Sequence, residues 1–65
     1  MNKSDIGTAI RKRRKQLGLR QQEVADLADI NINSLIAIER GTGNPKIDTI
    51  LAVLEIIGFE LTLIN

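Results

Sequence analysis

The side chains with chemistry to offer in this 65-residue chain are cations and amides, gathered in two places. Arg11-Lys12-Arg13-Arg14-Lys15 is an unbroken basic run, and Asn31, Asn33 and Ser34 stand together further along. Lys and Arg neutralise phosphates and carboxylates, and a carboxamide offers a donor and an acceptor side by side. There is no Cys and no His. Disulfides, thiolate chemistry, the usual zinc ligands and the commonest general base are therefore absent together. No pair of titratable groups suited to acid–base work stands out. The chain reads as a non-enzyme with no catalytic residue, no metal and no cofactor.

The charge is small in sum and uneven in place. The net formal charge is +1. Residues 1–20 carry seven bases against Asp5, a balance of +6, whereas residues 21–65 carry two bases against seven acids, a balance of −5. Such asymmetry suits a domain with one face toward a polyanion, and equally a helix with one solvated basic face.

Length and composition bound the rest. One domain is expected over residues 1–65, with a core so small that oligomerisation would help it. Of the residues 43% are hydrophobic, too many for a disordered chain, and Phe59 is the one aromatic, so Ile, Leu, Val and Ala must build the core. Residues 1–5 are polar with no long apolar run behind them. No signal peptide or membrane span is expected, and the reading is a cytoplasmic, nucleoid-associated protein.

The elements that must position these groups read as four helices. The first has a cap at Ser4 or Asp5, shows an inner face of Ile6, Ala9, Ile10, Arg14 and Leu17, and stops at Gly18. A second runs from about Gln21 to Ala28, with Val24, Ala25 and Ala28 inward. Asp29-Ile30-Asn31 is a tight connection, since Asp tolerates left-handed geometry and Asn31 is a good N-cap. A third helix runs from Ile32 to about Arg40 and closes at Gly41. After a turn-rich loop at 42–45, a fourth runs from about Ile47 to Ile57, with Ile47, Ile50, Leu51, Leu54 and Ile57 as its apolar face. The tail alternates apolar and polar, which is the period of a strand. A lone strand at 59–64 needs an edge, and the same strand of a second copy is the nearest one, through Phe59, Leu61 and Leu63.

Residues 21–40 are two short helices about a three-residue turn, with small Ala25 where they must touch. The second helix of such a pair fits the major groove of DNA. With Leu35 set at 0° and about 100° per residue, Ile38 and Glu39 turn inward, while Asn33, Ala37 and Arg40 face away at about 160°, 200° and 140°. Ile32 and Ser34 sit on the N-terminal turn. Ile32, Asn33, Ser34 and Ala37 are thus the candidates for reading base edges, Asn33 by a bidentate bond to adenine and Ile32 by a thymine methyl. Gln21 heads the second helix, where its amide and open backbone N–H groups can meet a phosphate. Arg20, Arg40, Thr42, Asn44 and Lys46 complete the candidate phosphate contacts.

Ile10-Arg11, Arg14, Leu17-Gly18-Leu19, Gln21, Val24-Ala25, Ile30, Leu35, Ile38-Glu39-Arg40-Gly41, Pro45, Thr49-Ile50 and Leu54 resemble the lambda-repressor-like (Xre, Cro/cI-type) helix-turn-helix family over residues 5–58. The tail at 58–63 is similar to that of HipB-like antitoxins. The resemblance implies an all-α, compact four-helix DNA-binding domain with a C-terminal β-strand pairing across a homodimer. It implies a partly buried ion pair between Arg14 and Glu39, and a Gln21 that braces the first recognition residue. It further implies double-stranded DNA, a second copy and a kinase-like toxin as partners. The sequence departs from the family at Arg20, where a hydroxyl is usual, at Asp29 in place of the turn glycine, and at Lys46. Each missing capping hydroxyl costs about 1 kcal/mol.

Several residues keep a plainer alternative. Arg11, Lys12, Arg13 and Lys15 are phosphate contacts or a solvated face. Ile32 and Ile36 touch bases or a partner protein. The tail pairs copies or docks a partner. The function expected is a sequence-specific repressor binding a palindromic operator as a homodimer, in its narrower form an antitoxin. The alternative is a protein-interaction module on the same fold without DNA binding.

Overall fold

The computed structural model describes residues 2–58, which form four helices: α1 (Lys3–Gln16), α2 (Gln21–Ala28), α3 (Ile32–Arg40) and α4 (Ile47–Ile56). There is no strand among the described residues. The strand expected at 59–64, with Phe59, Leu61 and Leu63, lies outside them. None of these helices is long and apolar enough to cross a membrane.

The start of α1 corrects the expected cap. Asn2 is the N-cap, its Oδ1 accepting from the Asp5 N–H at 2.9 Å, while the Asp5 carboxylate accepts from the Asn2 N–H at 3.3 Å. Ser4 and Asp5 therefore lie inside the first turn, where an acid also suits the helix dipole.

Three helices end in the same way. After α1, Gly18 N–H donates to Lys15 O and Leu19 N–H to Arg14 O. After α2, Asp29 and Ile30 N–H donate to Asp26 O and Ala25 O; after α3, Gly41 and Thr42 N–H donate to Ile38 O and Ala37 O. This paired pattern requires a left-handed residue at its centre. Gly18, Asp29 and Gly41 take it, at φ of 71°, 57° and 72°. Asp29 is the non-glycine among them, as its short side chain permits.

The core is aliphatic: Ile10, Val24, Ala25, Leu35, Ile38, Val53, Leu54 and Ile57 are buried. Two expected faces need correction. On α1, Ala9 is exposed because it lies about 140° from the Arg14 direction. Leu17 is 42% exposed because the chain turns at Gly18, and Leu19 packs on the core in its place. On α4, Val53 is buried while Ile47 and Leu51 are 56% and 42% exposed. The contact face of α4 is centred between Ile50, Val53, Leu54 and Ile57, and Leu51 lies about 110° from it.

α1 packs chiefly on α3, and α2 packs on both α3 and α4. The α1–α3 contact is close enough to require glycine. A Cβ on buried Gly7 would collide with Ile38 O and lie 2.7 Å from Glu39 O, and a Cβ on Gly41 would lie 2.7 Å from Ser4 Cα. Gly7 shares the inward face with Ile10 and Arg14 but is silent in an apolar pattern.

Gly7→Ala should therefore destabilise the fold. Alanine gains about 1 kcal/mol of helix propensity, but backbone atoms cannot rotate aside, and such overpacking costs about 1–3 kcal/mol or more. We expect a Tm lower by roughly 10 °C in thermal unfolding followed by circular dichroism; an unchanged or higher Tm would show that α1 can shift freely.

Candidate nucleic-acid interface

The interface is built outward from one buried carboxylate. Glu39 sits on the inner face of α3 and Arg14 on the inner face of α1, and each is 7% exposed. Arg14 Nε donates to Glu39 Oε2 at 2.7 Å and Arg14 Nη2 to Oε1 at 3.0 Å, a bidentate pair. Arg14 Nη1 donates to Leu19 O at 2.8 Å. The pair expected from the family resemblance is present. The hydrogen bonds that Arg14 donates to Glu39 hold its pKa above the ordinary value, against the opposing effect of burial. Stability from this shift is full at neutral pH and is lost only as the pH rises through the strongly alkaline range.

Gln21 joins the same group, its Nε2 donating to Glu39 Oε1 at 3.2 Å. Its amide thus braces Glu39, which differs from the expected brace on the first recognition residue. Gln21 remains at the head of α2, whose first turn leaves backbone N–H groups without intrahelical partners. Arg20 is the N-cap of α2 but offers no acceptor. The Glu23 carboxylate supplies half of a capping box by accepting from the Arg20 N–H at 2.9 Å, and the Arg20 side chain stays exposed. Lys46 caps α4 without a side-chain bond and is likewise exposed.

α3 is entered through Asn31, whose Oδ1 accepts from the Asn33 N–H at 2.7 Å. The cap leaves Asn33 and Ser34 exposed on the first turn, while Ala37 is half-buried. Ile32 is half-buried and packs partly against the core, so less of it faces outward than its place on the N-terminal turn suggests. Beyond α3, Thr42 Oγ1 donates to Ala37 O at 3.3 Å. Lys3 Nζ donates to Gly43 O at 2.7 Å and to Asn44 Oδ1 at 2.9 Å, which ties the loop to α1. Lys3 drew no attention in the sequence because its partners are about forty positions away.

A groove of about 370 Å³ runs beside α3, lined by Arg11, Gln21, Ile36, Glu39 and Arg40. Its one acid, Glu39, is already held by Arg14 and Gln21. Arg13 is half-buried and not part of a solvated face: its Nε donates to Ile57 O at 3.1 Å, so it serves the C-terminus of α4, where a cation also suits the dipole.

Residues 10–64 match the helix-turn-helix family HTH_3. The chain belongs to the helix-turn-helix family. This agrees with the lambda-repressor-like resemblance. One helix-turn-helix relative, from Sinorhizobium fredii, is named as an HTH-type transcriptional regulator, y4mF. It is 31% identical over 61 residues, covering 94% of this chain and 80% of its own. A second, from Methanothermobacter thermautotrophicus and also named as an HTH-type transcriptional regulator, is 40% identical over 40 residues. That match covers 62% of this chain and 58% of the relative.

Removing one partner of the buried pair leaves the other charge stranded. Glu39→Ala should cost about 3–5 kcal/mol, enough to unfold much of a domain this small. The double variant Arg14→Met/Glu39→Leu should recover most of that loss, read from urea midpoints; a double variant as unstable as the single one would place the cost elsewhere.

Proposed function

We propose that this chain is a sequence-specific DNA-binding transcriptional regulator acting as a repressor, with α3 as the helix that enters the major groove. The observation that carries the reading is the outer side of α3. Asn33 and Ser34 stand exposed on its first turn, next to a groove walled by Arg11, Gln21 and Arg40. A major groove admits one helix, amides and hydroxyls read base edges, and cations at the rim meet phosphates. The names of the two relatives support the same reading.

In the proposed complex Asn33 bonds an adenine edge, Ser34 and Ile32 contact neighbouring bases, and Ala37 lets the helix approach. Gln21, Arg20, Arg40, Thr42, Asn44 and Lys46 meet phosphates. The active species is a homodimer joined through residues 59–64. Its two copies of α3 lie about 34 Å apart on a palindromic operator, and the site of action is the cytoplasm, at the nucleoid. The HipB-like character of the tail supports a narrower role as the antitoxin of a toxin–antitoxin operon, with a kinase-like toxin as second partner. The alternative, a protein-interaction module, draws on the half-buried Ile32 and Ile36 beside the same face.

The test is binding to genomic fragments, including the chain's own promoter, at two salt concentrations. Tight binding to a few palindromic fragments that weakens steeply with salt is expected. A dimer that binds none at low salt would turn the assignment toward the interaction module. Asn33→Ala should lower operator affinity by about 1–3 kcal/mol and relax preference at one base pair, seen in a panel of single-base operator variants. Ending the chain at Gly58 should give a monomer with much weaker DNA binding; a truncated chain that still sediments as a dimer rejects pairing through the tail.

A further inference from the structure

Three helices meet around the groove of about 370 Å³ beside α3, and each contributes to its lining. α1 supplies Arg11, α2 supplies Gln21, and α3 supplies Ile36, Glu39 and Arg40. Small-ligand sites have volumes of about 300–1,000 Å³, so the groove is large enough for a compact molecule. Its one acid, Glu39, accepts two hydrogen bonds from Arg14 and one from Gln21. Arg14 balances that carboxylate, which therefore leaves no charge for the cations at the rim.

Arg11 and Arg40 are exposed, with no ion pair or hydrogen bond among the described residues. They stand on different helices and open into one groove, so two uncompensated positive charges share it. Ile36 lies one turn before Arg40 on α3, is half-buried, and gives the groove an apolar wall. Two guanidiniums beside an apolar wall fit a ligand that is doubly negative at one end and apolar at the other. A phosphate monoester has that form, with about −1.5 to −2 charge at neutral pH and three strong acceptor oxygens. The Arg14–Glu39–Gln21 cluster beneath holds the cations' helices together before any ligand arrives, as a pre-organised site requires.

We propose that this groove binds a small organic phosphate monoester, its phosphate between Arg11 and Arg40 and its body against Ile36, and that the bound ligand releases the chain from DNA. The proposal rests on the DNA-binding reading above and adds a regulator to it. The bound dianion occupies Arg40, which that reading gives to a DNA phosphate, and sets negative charge beside the outer side of α3. Release is electrostatic and needs no change of fold.

The test titrates the full chain with phenyl phosphate and with inorganic phosphate at constant ionic strength, followed by NMR of the Ile36 methyl and arginine Nε–H groups. Phenyl phosphate should bind saturably, one per chain, with shifts confined to Arg11, Gln21, Ile36 and Arg40. Arg11→Gln and Arg40→Gln should each weaken it roughly tenfold, the loss of one charge-assisted contact. Both side chains are exposed, so the variants should keep the wild-type Tm. Ile36→Ala should bring phenyl phosphate down to the affinity of inorganic phosphate. Saturating phenyl phosphate should lower the affinity for duplex operator roughly tenfold at fixed ionic strength, within the usual range of coupling between two ligands. Equal affinity for the two probes in the wild type would assign the groove to free phosphate and overturn the organic ligand. Non-saturating shifts that spread to Lys12, Lys15 and Lys46 would overturn the site altogether. Either result, with the wild-type chain still binding duplex, leaves the DNA-binding reading intact. A chain that binds phenyl phosphate but no duplex at low salt would overturn that reading and the release with it.

Discussion

The structure depends on one carboxylate in the wrong place for a carboxylate. Glu39 lies at the inner face of α3, where an unpaired charge would cost several kcal/mol. It is held by two hydrogen bonds from Arg14 and one from Gln21, so α1, α2 and α3 converge on a single group. Arg14 also ties the α1–α2 link through Leu19 O. Among the described residues no buried side-chain nitrogen or oxygen lacks a partner. In a core of aliphatic side chains, which slide on one another at little cost, this directional cluster sets how α3 is carried relative to α1 and α2.

Close backbone approach supplies the second constraint. Gly7 lets the α1 axis reach the carbonyls that end α3, and Gly41 lets the chain leave α3 past Ser4. The C-terminus of α3 is therefore clamped. Its N-terminus is left outward, with Asn31 capping the first turn and Asn33 and Ser34 exposed on it. The inner end of α3 is specified by packing, and its outer end stays exposed.

The basic run shows how a helix distributes a local charge block. Five adjacent cations cannot share a face at about 100° per residue. One enters the core, one serves another helix's end, and three stay on a flank. The charge that a polyanion meets is thus smaller than composition suggests, but it is lined up with the outer side of α3.

Much of the fold was legible in the residues themselves. Periodicity, the stops at Gly18 and Gly41 and the tight connection at Asp29-Ile30-Asn31 placed α2 and α3 near their observed bounds, because local hydrogen bonding decides helix ends and turns. Asn31 as a cap was legible for the same reason, and the small, inward Ala25 is buried. The inward turn of Arg14 and Glu39 followed from their phase, and their pairing from the family pattern. What the sequence could not decide were choices that depend on a partner far along the chain. Val53 displaced Leu51 in the core, whereas the move of the cap from Ser4 or Asp5 to Asn2 rests on bonds only three residues apart. Gly7 became indispensable, Lys3 reached the 43–44 loop, and Arg13 went to α4. Local sequence determines which residues can form a helix and where it ends. Only tertiary packing decides which side of that helix is covered, because burial is set by the neighbour's position and not by the residue's own type.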